Sequence, residues 1–292
     1  MRFSLSTGYG NTYFRSRLDG FGVLQAPDSA VKIYDLAVPN TIYENWVNRV
    51  TPNPWGFRPS HFRVRSDTAR LGFRGNGLNI PFKASIHYEF LGRYRIGGGY
   101  AYQWLSIGAL EPTAFTDRIS NFFPASPRGG WMRHYFIMFG ASFYRIDRFL
   151  FTADLNIGGF SPGRNFDLST FRNGAYVNLG MTVERELSEY LRAFVRPSFD
   201  FKSYRLALPG TTKEIRLGIN TLYVNIGLTY TIPDLPRCFH PDCRIQVNHP
   251  HGNREYRSRV HPLFMKQNPG YGENNPQLIK YKKRNKKRLN PY

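Results

Sequence analysis

The residues best suited to chemistry lie near the C-terminal end, in Cys238-Phe-His240-Pro-Asp-Cys243 and in His249, His251 and His261 beyond it. Zinc takes four thiolate or imidazole ligands in a tetrahedron, and Cys238, His240, Cys243, His249 and His251 offer enough of them. The same two Cys, set across a proline, can instead close a small disulfide loop, which an oxidising compartment favours. Left apart they are plain thiols. The disulfide is the simplest outcome, and none of the three implies catalysis. Outside this tail the only histidines are His61, His87 and His134. They are accompanied by no nucleophile elbow and no metal-spaced His pair.

A second set of reactive groups is scattered singly through the chain: Lys83, His87, Glu89, Arg95, Asp154, Glu184, Arg192, Arg196, Asp200 and Lys202. What positions them is alternation. In 222–232, LYVNIGLTYTI, one face carries Leu222, Val224, Ile226, Leu228 and Tyr230, and the other Tyr223, Asn225, Gly227 and Thr229. Period two over such a length is a strand signal. The pattern recurs in 3–14, 80–90, 94–104, 135–143, 149–157, 177–184 and 191–202, and the charged residues of the second set fall on its polar face. The links run long, short, long, short, long, short, long, with long ones at about 15–79, 108–132, 159–173 and 205–218. An even number of strands, short turns at one end and long loops at the other describe a transmembrane β-barrel. Pro197, inside the seventh strand, predicts a bulge. Residues 61–73 are expected to extend the second strand beyond the membrane.

Composition agrees. No run approaches the roughly 20 apolar residues of a membrane helix. Aromatics make up 16% of the 292 residues, with 19 Tyr and 24 Phe, which suits strands and aromatic girdles. A polar mean hydropathy does not count against a barrel, because only alternate side chains meet lipid. The net charge of +20 is partly segregated: residues 233–292 hold 13 Lys or Arg against four Asp or Glu, and seven of those bases fall within 280–288. Such a tail suits an anionic protein or envelope surface, and the periplasm holds no nucleic acid for it. Met1 leads straight into a strand-like run without a charged and then apolar leader, so the numbering is expected to begin near the mature N-terminus.

The segment GLNIPFKASIHYEFLGRYRIGGGYAYQ at 77–103, with ELSEYLRAFVRPSFDF and LYVNIGLTYTI, resembles the small outer-membrane β-barrels of the OmpX and PorT kind, especially those of Bacteroidota. The resemblance implies an eight-stranded antiparallel barrel over 1–232 and a periplasmic extension over 233–292. It also implies that Asn225, Gly227, Tyr230 and Ile232 form the polar, glycine, aromatic, hydrophobic signal by which the barrel-assembly machinery recognises a last strand. Most relatives end there; this chain continues for 60 residues. Asp28-Ser29-Ala30 and Asp67-Thr68-Ala69 look like short O-glycosylation sites of Bacteroidota.

An eight-stranded barrel is filled by its own side chains, so the inward charges are expected to pair with one another rather than line an open pore. The tail is rich in Asn, Pro and Gln and lacks helical periodicity, yet aromatics are spaced among its bases. That pattern suits an extended segment that orders on a partner. Its expected contacts are Tyr256, Arg257, Arg259 and Tyr271, then Lys280, Tyr281, Lys282, Lys283 and Arg284, and finally Lys286, Lys287, Arg288 and Tyr292. The expected function is a non-enzymatic, cofactor-free outer-membrane subunit. Its partners would be outer-membrane lipid and lipopolysaccharide together with proteins of a barrel-assembly or type IX secretion complex. The alternatives are a surface barrel acting through its loops, as an adhesin or resistance protein, and a lipid-modifying barrel enzyme.

Overall fold

The computed structural model describes residues 1–256 except 28, 39–40, 54–57, 92, 147–148, 165, 167, 173, 188–189, 233–234, 237 and 241–248. In β1 (Arg2–Arg17), Phe3, Leu5, Tyr9 and Tyr13 are exposed while Ser4, Thr12, Phe14 and Ser16 are buried. Five short strands follow: β2 (Phe21–Gln25), β3 (Lys32–Asp35), β4 (Ile42–Glu44), β5 (Thr51–Asn53) and β6 (Phe62–Arg65). Then come β7 (Gly72–Phe90), β8 (Tyr94–Pro112), β9 (Gly129–Ile146), β10 (Phe149–Pro162), the two-residue β11 (Phe171–Arg172), β12 (Ala175–Glu186), β13 (Leu191–Ala207) and β14 (Glu214–Thr231). A hairpin of β15 (His249–His251) and β16 (Arg254–Tyr256) lies in the tail.

The long strands β1, β7 to β10 and β12 to β14 form one antiparallel sheet. It closes where β1 pairs with β14, from Arg2↔Thr231 to Arg17↔Arg216, leaving no free edge. The chain is an eight-stranded transmembrane β-barrel. Its side chains are distributed as lipid requires: on β14, Ile226 is 57% exposed and Asn225 is 1% exposed. In water that arrangement would be inside out; across a bilayer, the apolar face meets lipid and the closed ladder satisfies the backbone. Tyr13 and Tyr135 at the long-link end, and Tyr88, Tyr94 and Phe149 at the other, stand exposed at the borders of the apolar band.

Two local expectations are corrected, and the first long link holds strands of its own. Pro197 opposes Val224 in an unshifted register and makes no bulge; on the β12 side the ladder lapses between Val195 and Ser198 and resumes in step. Proline removes one donor, and losing one bond does not require an extra residue. The register shifts instead fall at Gly75/Gly77 and Phe151/Thr152. The stretch Phe62–Arg65 pairs with β2 and does not extend β7, which begins at Gly72. The first long link is a folded unit: β2 to β6 form their own sheet in the order β5-β4-β3-β2-β6.

That small sheet caps the barrel. Its core is Trp46, which is fully buried, stacked on Phe122 at 5.2 Å between ring centroids and tilted against Phe73 at 5.6 Å. Phe122 belongs to the second long link and Phe73 to the barrel wall, so cap and barrel share one core. Polar contacts tie the cap to neighbouring links. Asn48 Nδ2 donates to the Ala125 carbonyl at 2.8 Å, Gln25 Oε1 accepts from Ser120 Oγ at 3.0 Å, and the Tyr43 hydroxyl donates to the Pro209 carbonyl.

Candidate functional site

The lumen divides into two layers. Toward the cap it is apolar, filled by Phe14, Phe73, Leu105, Met132, Phe160, Tyr204 and Leu217, all buried. Toward the short turns it is charged. Arg95 donates through both terminal nitrogens to Glu184, at 2.7 and 2.9 Å, and its Nε lies 3.2 Å from Glu89. Arg2 also pairs with Glu89, and Arg192 bridges Glu184 at 3.2 Å and Glu186 at 2.9 Å. Above this layer Arg196 approaches Asp154 at 3.4 Å, and Lys202 pairs with Asp200 at 3.1 Å. Lys202 and the Tyr223 hydroxyl both donate to Gln103, at 3.2 and 3.0 Å. Most of the inward charges therefore pair with one another, as expected for charges cut off from bulk water. Lys83 departs from that expectation, since its buried ammonium has no ion-pair or hydrogen-bond partner among the described residues and lies over the Tyr223 ring at 5.1 Å.

A polar cavity of about 50 Å³ remains between the layers, lined by Ser4, Lys83, Ser85, Asp154, Thr182 and Arg196 among others. It is large enough for water molecules and too small for a solute path. The three barrel and cap histidines do not converge. His61 Nδ1 accepts from the Arg58 backbone at 3.3 Å in the cap, while His87 lies 3.9 Å from Glu89 at the short-turn end. His134 is fully buried, stacked on Phe160 and edge-on to Tyr176.

The residues expected to form the assembly signal have visible structural roles. Asn225 is buried and donates to the Arg196 carbonyl and to Ser198 Oγ, both at 3.4 Å. Gly227 lies against the Leu5 carbonyl and the Phe194 ring, where an added Cβ would stand 2.4 and 2.5 Å from them. Tyr230 stacks on Tyr190, and the Ile232 amide donates to the Met1 carbonyl at 2.9 Å, which zips the closing seam to its end. Tyr230 and Ile232 are both exposed on the apolar face.

In the tail, Cys238 is buried with its Sγ 3.2 Å from His251 Nε2, and the His240 ring lies tilted against His251 with 5.0 Å between centroids. Phe239 and Tyr256 complete this cluster. His249 is placed through its backbone, opposite Tyr256 in the hairpin. Cys243 lies outside the described residues, as do Arg257, Arg259, Tyr271 and the expected contact residues within 280–292. Among the described residues, no three or more His, Cys, Asp or Glu are grouped to hold a metal ion. The folded cap and the apolar upper lumen were not among the sequence expectations, although the alternation of the lumen residues is present in the strands.

No family model and no curated protein matches the chain. Several solved structures do. They include the outer membrane protease OmpT from Escherichia coli (12% identity, 79% of this chain and 97% of that one, TM-score 0.35) and the outer membrane protein OprG from Pseudomonas aeruginosa (9%, 76% and 95%, 0.35). The attachment invasion locus protein Ail of Yersinia pestis, solved with a heparin analogue, matches at 11% identity over 78% of this chain and 97% of that one, with a TM-score of 0.24. These proteins include a protease and barrels of other kinds, and they assign no activity to this chain.

Proposed function

We propose that this chain is a non-enzymatic, non-conducting barrel of an outer membrane that anchors the basic segment 233–292 in the periplasm. There the segment docks onto a protein assembly or secretion machine, and the barrel serves as an accessory subunit. The observation that carries this reading is the filled lumen of a barrel whose ring is complete at Thr231. A lumen with a charged and an apolar layer leaves little to transport, and a closed ladder gains nothing from a long extension. Arg2 and Thr231 sit side by side on the short-turn rim, so the tail leaves from that rim, which faces the periplasm in barrels of this kind. Aromatics among bases supply the anchors that a wrapping segment uses.

The test is affinity purification from native membranes in mild detergent of the full chain and of a variant ending at Ile232. The full chain should bring stoichiometric partners and the truncated one should not. Partners retained by the truncated form would sink the docking role.

One observation favours a second reading, a surface protein acting through its cap. The first long link has its own sheet and a buried Trp46, more order than a passive connection needs. Exchanging 18–71 for a short link separates the two. It should leave copurifying partners intact under the first reading, and should abolish surface binding with no effect on any complex under the second.

A further inference from the structure

The outer wall just beyond the apolar band carries a row of arginines that the strand register places next to one another. Arg172 opposes Arg205, Arg205 opposes Arg216, and Arg216 opposes Arg17. One step away, Arg15 opposes Arg74. All six are exposed and alternate with buried inward residues such as Leu206, Leu217 and Ser16. Arg74 has Glu111 at 3.8 Å and Arg205 has Glu214 at 3.4 Å. Among the described residues Arg15, Arg17, Arg172 and Arg216 have no carboxylate within 4.0 Å. Like charges placed directly opposite on neighbouring strands repel. Four in consecutive interstrand positions, at about 4.8 Å per strand, form a cationic row roughly 15 Å wide in which only Arg205, among the described residues, has a carboxylate within 4.0 Å.

The depth of the row identifies what compensates it. On β1 the outward side chains run from Phe3 to Tyr13 before turning to Arg15 and Arg17. Ten residues at about 3.4 Å each, tilted by roughly 40°, span about 26 Å, the height of a bilayer's apolar band. Arg15 and Arg17 therefore stand about 5–10 Å above the acyl region, at headgroup level. They are on the rim that bears the long links, which faces outward in barrels of this kind. Guanidinium groups bind phosphate oxygens in a fork that a water-exposed carboxylate partner would otherwise fill.

We propose that Arg172, Arg205, Arg216, Arg17, Arg15 and Arg74 form a binding row for the phosphorylated headgroup of an outer-leaflet glycolipid. The inference rests on the outer-membrane orientation given above and is independent of the tail. The bound lipid screens the arginines from one another, so the barrel is most stable when its outer collar is phosphorylated lipid.

The test is native mass spectrometry of the full chain in detergent, mixed with a bisphosphorylated lipid A or with the same lipid dephosphorylated. The full chain should retain the phosphorylated lipid by at least about tenfold over the other, a preference that charge-assisted contacts supply. R17Q/R216Q should lose that preference, whereas R185Q, on the opposite rim, should keep it. Without lipid, R17Q/R216Q should unfold at a higher temperature than the parent, because a repulsion has been removed; this also shows that the variant folds. Equal retention of both lipids, or an unchanged preference in R17Q/R216Q, overturns the proposal. Complete displacement by millimolar inorganic phosphate would mark a site for the free ion and would also overturn it. Docking being wrong would leave all of these results untouched.

Discussion

Arg95 and Glu184 meet face to face across the lumen, through two hydrogen bonds of 2.7 and 2.9 Å, although β9 and β10 separate their strands in the ring. The guanidinium is 4% exposed and the carboxylate 2%. A pair of this kind holds opposite walls together and blocks the lumen with the same atoms. Arg2, Glu89 and Arg192 extend it into a continuous charged layer.

Breaking that pair from one side leaves a buried charge without its partner. Glu184→Ala is expected to cost about 3–5 kcal/mol, whereas replacing both residues with apolar ones of similar volume costs little or nothing. Chemical unfolding of the refolded barrel in detergent, followed by loss of its heat-modifiable mobility, measures both. A single variant as stable as the parent would mean that water reaches the layer and the pair carries little.

The upper lumen is plugged by residues on the strands themselves, among them Phe14, Phe160 and Tyr204. The barrel should therefore show no steady conductance in planar bilayers, and replacing the cap residues 18–71 with a short link should not open it. Ohmic current steps from either protein would contradict a filled lumen.

Trp46 is the centre of the cap, fully buried between Phe122 and Phe73. Trp46→Ala should destabilise the cap by about 3–5 kcal/mol, the cost of a large aromatic lost from a core. The loss should appear as rapid proteolysis within 18–71 while the barrel remains resistant. Simultaneous loss of barrel mobility would show that cap and barrel unfold as one unit.

The cap should also respond to acid. The Glu44 carboxyl is held below its ordinary value of 4.5, chiefly by a hydrogen bond from Lys32 and further by one from Asn53, against the opposing effect of burial. A carboxyl with a lowered folded-state value stabilises the fold above the unfolded value and loses that contribution as pH falls through the folded one. Cap proteolysis should therefore accelerate as pH drops below about 4.5, and Glu44→Gln should flatten that dependence. An unchanged acid profile in the variant would place the sensitive group elsewhere.

The barrel was legible in the sequence because lipid demands apolar side chains on one face of every strand, as on β14 from Leu222 to Tyr230. What escaped lies above the lipid. There, beyond the acyl region, the outside meets polar surroundings and the inside is apolar, so period two continues with its phase reversed. On β14, Ile215, Leu217 and Ile219 point in and Arg216 out, and on β1, Phe14 points in and Arg15 and Arg17 out. The strands consequently read as ending near 15, 79 and 205, and their real extensions, which carry both the apolar plug and the arginine row, read as loop. The cap escaped for a different reason. Its strands are three to five residues long, too short for a period, and its core residue Trp46 sits in a turn.

The central claim is that partners recognise the tail and not the barrel. The most direct measurement grafts residues 233–292 onto the last strand of an unrelated outer-membrane barrel and identifies what copurifies from the native host. The graft is expected to acquire the same stoichiometric partners as the full chain, with the variant ending at Ile232 losing them. A graft that purifies alone while the shortened barrel keeps its partners would contradict the account.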